Sequence, residues 1–525
     1  MKRREFLKFL AAGAMTAAAP GCGGGAPSRQ LFRMNLRSEP PTLDPSLATD
    51  NVSLRVLTNL MEGLTAYGEG LRPVPAAAER WEVVDGGRRV LFHLRSDGRW
   101  SDGLPVKARD FEFSWKRFLD PETAAEYAYF LFDVEGASEY NAGRSSDERI
   151  VGVRALDDLT LEVRLARPVV FFPMITTFMV LFPLRADIIA RYGDAWTEPG
   201  RFVGNGPYTL ARWHHEYKVS LLPNPHYRAP PRNAGVAFFM LNQPTVELTL
   251  YEHGDLDYAL LPIIEIPRFE GHPEFHRKPM LRAEYYGFNC RKPPFDDVRV
   301  RRAFSLAIDR SIFPRILHGG ETPMTSWIPP GMLAHAPAIG LDFDPDRADR
   351  ELAEAGFPGG NGFPVVELAF NTDEERKLVA ESVQAQWKKN LGVEVRLRNV
   401  EWKAYLKEIS TDPPGLWRLG WGADYPDPDN FMNLFTGVSG NNHTRWNSAT
   451  FDRLVADAAL EQERRRREEM YDEAQRILCE RDAAIIPLYA RAQNYLVSPR
   501  VSGLWINQMD YLYLDRVSLG RGGEA

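Results

Sequence analysis

Three cysteines in 525 residues, Cys22, Cys290 and Cys479, are too few for a disulfide framework or a thiolate metal site, although one bridge between Cys290 and Cys479 stays open. The ten histidines are scattered. No H-E-x-x-H occurs, and the adjacent His214 and His215 point apart on any regular element, so the chain has no zinc signature and no metal is expected. G-x-S-x-G and paired catalytic carboxylates are missing, which leaves a hydrolase without support, and no cofactor motif appears. The glycine-rich run AGFPGGNGFP, from Ala355 to Pro364, is not followed by Gly-Lys-Ser/Thr and reads as a loop after a helix, not a phosphate cradle. No internal period points to a repeat array. A surplus of positive charge is absent too. Residues 1–21 carry four basic side chains and one acidic one, so the remainder carries −10 against −7 for the whole, which repels a polyanion and excludes nucleic acid. The run Arg464 to Arg467 lies among Glu461, Glu463, Glu468 and Glu469 at helical spacing and reads as a solvated, salt-bridged face.

What is present begins with an address. Lys2, Arg3 and Arg4 precede an apolar stretch, Phe6 to Ala19, too short to span a bilayer, and Ala19-Pro20-Gly21-Cys22 supplies a small-residue cleavage site. Residues 1–21 are therefore expected to be an export signal, with RREFLK in the manner of a twin-arginine signal. Cys22 stands where a lipoprotein carries its thioether-linked lipid, and residues 22–30, beginning CGGGAPS, form a flexible tether. Ala19 occupies a place where Leu is commoner, which leaves a soluble exported form as the other outcome.

A chain of this length needs more than one core, and 44% hydrophobic residues can fill them. Alternation at Leu31–Leu36, Leu159–Leu165 and 393–397 predicts strands, and the stripe Val379, Val383, Trp387, Leu391 predicts a helix, with another through 454–459. The class is mixed α/β. Between 92 and 129 the chain reads as a strand with Val90, Phe92 and Leu94 inward, a glycine turn to Trp100, and a helix starting near Lys107 or Ala108.

That stretch, with its WSDG turn, P-V-K-A-x-D-F helix start and L-D-P turn, resembles the oligopeptide- and dipeptide-binding family of solute-binding proteins that serve peptide importers. Further blocks follow in the family's order: SEPPTLDP from Ser38, NLMEGL from Asn59, VGNGPYTL from Val203, YEHGDLDYA from Tyr251, FNCRKPPFDDVRVRRAFSLAIDR from Phe288, GWGADYPDP from Gly420 and IIPLY from Ile485. The resemblance implies an α/β, two-lobe periplasmic-binding-protein fold (class II, cluster C). In it, lobe I would comprise 31–61, 187–281 and 492–525, an inserted subdomain 62–186, and lobe II 282–491. It further implies an exported, lipid-anchored monomer at the periplasm or cell surface that captures a peptide, catalyses nothing and hands the peptide to the permease and ATPase subunits of an ABC importer. Related cargoes are the alternative: a nickel chelate, haem, an opine or an oligosaccharide.

A peptide presents an ammonium at one end, a carboxylate at the other and amides between, and burying the ammonium without a countercharge costs several kcal/mol. In the resembling family the acid of a W-x-A-D block meets the α-amine. Here the block is Trp421-Gly422-Ala423-Asp424. By composition alone Asp424 would be a turn residue, since Tyr425 to Asn430 is rich in turn formers. A calcium loop built on Asp424, Asp427 and Asp429 is disfavoured by Pro426 and Pro428 and by the lack of a twelfth-position Glu. The resemblance also implies backbone pairing with the ligand at Leu419–Gly422 and at 49–51, including Asn51. Trp402, Trp421 and Tyr127 would line the cavity, and Arg418, with Arg376 behind it, would face the carboxylate end. Gly422 and Arg282 stand where some family members have cavity-lining cysteines, so that bridge is absent here.

Overall fold

Two long strands, Phe275–Phe288 and Ile485–Val497, run antiparallel through the molecule and tie its halves together. The computed structural model describes residues 31–520; the segment expected to be an export signal (1–21), the expected tether (22–30) and Cys22 lie outside the described residues. From Leu281 onward the first strand is almost wholly buried, as expected of a central strand covered on both faces. At one end it pairs with residues 492–496 of the second, and the sheet continues through Tyr258–Leu260, Leu31–Asn35, Gly235–Phe239, Lys218–Pro223 and Tyr208–His214. At the other end 283–287 pairs with 485–490 on one side and with Leu416–Gly422 on the other, followed by Val366–Asn371 and Val395–Val400. Where one half gives way to the other the register slips. Pro279 faces Ala492, the next pair is Ala283 with Ala490, and residues 280–282 bulge opposite Arg491. Extra residues on one strand bend it and sharpen its twist.

A separate four-stranded antiparallel sheet forms from Ala78–Val84, Arg89–Leu94, Thr160–Arg164 and Val153–Ala155. Its second strand buries Val90, Phe92 and Leu94 on one face. The WSDG segment is a tight turn in which Gly103 adopts φ +88°. Its N–H bonds the Trp100 carbonyl at 2.9 Å, and the fully buried Trp100 indole donates to Asp110 at 3.1 Å. Asp110 also accepts the Lys107 N–H at 2.9 Å, which starts the helix Ala108–Leu119, and Phe111, Trp115 and Phe118 bury its inner face.

In the second half, the helix Glu374–Leu391 presents the stripe Val379, Val383, Trp387 and Leu391 to a core with Phe288, Phe295 and Phe304. Asp297 caps the helix Val298–Leu306 by accepting the Arg299 N–H at 2.8 Å. The basic run near its end divides. Arg464, Arg465 and Arg466 pair on the surface with Glu468, Glu469 and Glu461, whereas Arg467 is a correction to the solvated-face reading: it is buried and grips Asp427 through two bonds of 2.7 and 2.6 Å. Cys290 and Cys479 are unpaired. Among the described residues no helix is long and apolar enough to cross a membrane.

Gly287 sits at the tightest point of the strand pair. It lies opposite Trp417, and a Cβ there would come 2.3 Å from that indole, which is itself fully buried beside Tyr285 and His443. Gly287→Ala is expected to lower stability by ~1–3 kcal/mol, read as a fall in the denaturant midpoint; an unchanged midpoint would show that the ring can yield.

Candidate ligand-binding site

A cavity of about 160 Å³ opens between the halves, with room for on the order of ten water-sized groups. Asn51 and Tyr127 contribute from one side; Arg282, Gly422 and Asp424 contribute from the other. Residues 508–511 close one end. Aromatic packing draws the walls together: Tyr425 stacks on Phe171 at 5.1 Å and meets Phe130 edge-on at 5.9 Å, and Tyr127 packs edge-on against Phe178 and Phe130.

Three carboxylates reach this wall, and two of them are already satisfied. Asp50 caps the helix Asn51–Leu60, accepting the Val52 and Ser53 N–H groups at 2.9 Å and the Ser53 hydroxyl at 2.7 Å. Asp510 is ion-paired with buried Arg55 at 2.5 Å and accepts Gln493 at 3.0 Å. Asp424 has only Asn430, whose amide donates to it at 3.3 Å. No Arg, Lys or His lies within ion-pair distance of it among the described residues. Its accessible surface faces the cavity while protein surrounds it, so burial pushes the carboxyl from an ordinary 3.8 up to about 7, with the Asn430 bond opposing. The same Asn430 carbonyl accepts the Asp424 N–H at 3.0 Å and the Trp421 indole at 2.9 Å, which fixes the anchor loop.

Beside Asp424 runs an unused strand edge. Leu416–Gly422 pairs along its whole length with 282–288, yet Val366–Asn371 reaches only Leu416 and Trp417 on its other side. The Tyr405 hydroxyl takes up both the N–H and the carbonyl of Arg418. From Leu419 to Gly422 that edge carries no strand among the described residues.

Behind this strand lies a cluster of guanidinium groups. Glu284 is buried and shared by Arg418, by Arg282 at 3.3 Å and by Arg491 at 3.4 Å. Burial opposes its ionisation, but Arg418, Arg282, Arg491 and Arg376 outweigh that and hold it at about 2. Arg491 also pairs with Glu375 at 2.5 Å, and Arg418 donates to Asn371 at 3.1 Å. Arg376 is left over. Among the described residues its side chain makes no hydrogen bond, its buried Nε has no partner, and its ion pair with Asp373 is long at 3.9 Å. Burial, then the charges of Arg418 and its neighbours, pull its pKa down.

A half-buried lone carboxylate, an open strand edge and a basic cluster thus lie close together at this cavity. Residues 72–443 match the middle part of the bacterial extracellular solute-binding proteins, family 5. The chain belongs to that family. Across 499 residues it is 35% identical to the "Probable deoxycholate-binding periplasmic protein YgiS" of Escherichia coli, covering 92% of each chain. It is 34% identical to the periplasmic oligopeptide-binding protein OppA of Salmonella typhimurium over 515 residues, covering 94% of this chain and 93% of that one. The structure of the Escherichia coli murein tripeptide binding protein MppA superposes with a TM-score of 0.81 at 31% identity, over 94% of this chain and 99% of that one. The fold is accordingly the two-lobe α/β fold of periplasmic peptide-binding proteins.

In this family 5 chain, Asp424 and Gly422 line the cavity from one wall, with Tyr127 and Asn51 facing them from the other. The other sequence-predicted residues stand behind it. Trp421 braces the loop through Asn430, and Arg418 is buried and committed to Glu284. Trp402 is 45% exposed with its ring 6.2 Å from that of Tyr405, and Arg376 belongs to the basic cluster. Asp424, Asp427 and Asp429 do not converge as a calcium loop would require: Asp427 serves Arg467, and Asp429 accepts the Tyr425 hydroxyl at 2.8 Å. Residues 508–511, Asn430 and Glu284 were not foreseen; their roles arise from contacts far along the chain, and no local pattern marks them.

Holding Asp424 ready costs stability, with a definite sign. A carboxyl whose folded pKa is raised binds protons better folded than unfolded, so its penalty is absent below about pH 4 and fully present above about 7. Asp424→Asn is therefore expected to stabilise the ligand-free protein at pH 8 by a few kcal/mol at most, read as a raised melting temperature, and to change it little at pH 4. Calorimetry at the two pH values decides; a variant destabilised at pH 8 contradicts the assignment.

Proposed function

We propose that this protein is an exported receptor that captures peptides between its lobes and delivers them to an ATP-driven importer, binding without catalysis. The observation that carries this is Asp424: a carboxylate with no countercharge, walled by both halves, beside a strand edge that can pair with a peptide backbone. A free α-ammonium supplies the missing charge. Main-chain pairing would then hold the rest with little regard for side chains, and Arg376 with its neighbours would favour the carboxylate end. Tyr127 and Asn51 complete the wall from the first lobe, so ligand contacts are made to both lobes only when they approach. The bulge at 280–282 is the natural pivot. Export by the 1–21 signal and anchoring through Cys22 would keep the receptor, as a monomer, beside its transporter.

The resemblance to YgiS supports a second reading, an anionic amphiphile such as deoxycholate, to which the apolar wall with Leu54, Phe178 and Met280 is suited. An ionised Asp424 opposes it, since such a ligand brings no cation. Titration calorimetry with free and N-acetylated tripeptides and with deoxycholate separates the two. For peptides, Asp424→Asn should weaken binding by ~2–5 kcal/mol and acetylation of the wild-type ligand should act alike. Affinity should also fall by up to about tenfold per unit as pH drops below 7, because the bound ammonium lowers the Asp424 pKa and binding must release a proton. Equal affinity for free and acetylated peptides rejects the amine anchor, and tight deoxycholate binding indifferent to Asp424→Asn favours the rival.

A further inference from the structure

The face of the sheet beside the open edge is unusual in having a floor without side chains. Arg282 lies directly opposite Gly422, and Glu284 opposite Gly420, so these four residues share one face. A Cβ at Gly422 would meet nothing within 4 Å, whereas one at Gly420 would strike the Glu284 carboxylate at 2.5 Å. The space above Gly422 is therefore open toward Arg282. Among the described residues Arg282 is the only basic one on the cavity wall, and its side chain is 34% exposed. Of its donors only Nε is engaged, by Glu284 at 3.3 Å, a carboxylate already shared with Arg418 and Arg491. The two η nitrogens of Arg282 have no acceptor among the described residues.

A peptide added along 419–422 places alternate side chains on this face, two strand spacings, about 9.5 Å, from the Arg282 backbone. An extended arginine and a glutamate can close that gap between them, with no intervening side chain at Gly422. Because Asp424 lies just beyond Gly422, the side chain so placed belongs near the ligand's amino end. Resting on the peptide reading above, we infer that Arg282 forms a side-chain subsite that selects peptides with an acidic residue close to the amino terminus. A bidentate guanidinium–carboxylate pair fits donors left in fork geometry, and a desolvated cavity strengthens it. A basic side chain at that place would meet Arg282 with like charge.

The test is calorimetry on the mature chain with Ala-Ala-Ala and with tripeptides carrying Glu, Gln or Lys at the first or second position. At one of the two positions Glu should bind ~10- to 100-fold more tightly than Gln, with Lys weakest, and the difference should shrink at high salt. Arg282→Gln should abolish the Glu-to-Gln ratio, and Arg282→Lys should retain part of it. Glu and Gln peptides binding within about twofold of each other at both positions would overturn the inference while leaving the amine anchor intact. So would a preference that survives Arg282→Gln. Failure of every peptide, Ala-Ala-Ala included, would overturn both readings at once.

Discussion

The burial of one uncompensated carboxylate constrains the rest of the site. In water Asp424 would ionise freely; between the lobes its charge is unfavourable until a cation arrives. The neighbouring acids show that the fold is able to neutralise such groups. Asp50 is spent on a helix N-terminus and Asp510 on Arg55, so both belong to the scaffold. Asp424 is held by a neutral amide that fixes its position and withholds charge. A group kept in that condition favours the state in which a ligand ammonium covers it. The free energy stored in its desolvation becomes available to binding.

Electrostatic polarity then follows the strand Leu416–Gly422. Beyond its carboxyl end lies the acid, and behind its middle lies a set of guanidiniums organised around Glu284. Glu284 is outnumbered, which keeps it ionised despite burial and leaves Arg376 and part of Arg282 with unused donors. On the proposed reading, positive and negative ends separated along an unpaired edge would complement a zwitterionic chain in one direction only. A reversed peptide would set ammonium against guanidinium and carboxylate against Asp424, so orientation would be set by repulsion as well as by attraction.

The local patterns of the sequence carried much of the fold. The strand of Val90, Phe92 and Leu94, the helix from Ala108 and the stripe on Glu374–Leu391 all appear where periodicity placed them, because each follows from its own residues' alternation and caps. Asp424 was legible only through the order of blocks around it, since its local composition reads as a turn. What escaped were pairings between distant residues. Arg418 has the right position relative to Trp421, yet Glu284, 134 residues away, takes its charge. Arg467 looks like one more surface arginine until Asp427 is brought to it, and the 508–511 wall is set by the return of the chain. Sequence spacing specifies which face a side chain occupies; tertiary packing decides whether its donors remain free.

Capture and closure are linked through the same strands. Arg282 belongs to the bulge at 280–282 and Arg491 lies opposite it, where the two long strands pass from one half to the other. Both bind Glu284, so the pivot and the basic cluster share residues. A ligand shifts the equilibrium between open and closed forms only by the difference in its affinity for the two. Contacts to Asp424 alone would leave that equilibrium untouched, because they lie in one half. On the proposed reading Tyr127 and Asn51, on the opposite wall, would supply the difference, and Tyr425 stacked on Phe171 joins the halves beside Asp424. The amine site would then give recognition, and the second wall would convert recognition into a change of shape that a transporter could read.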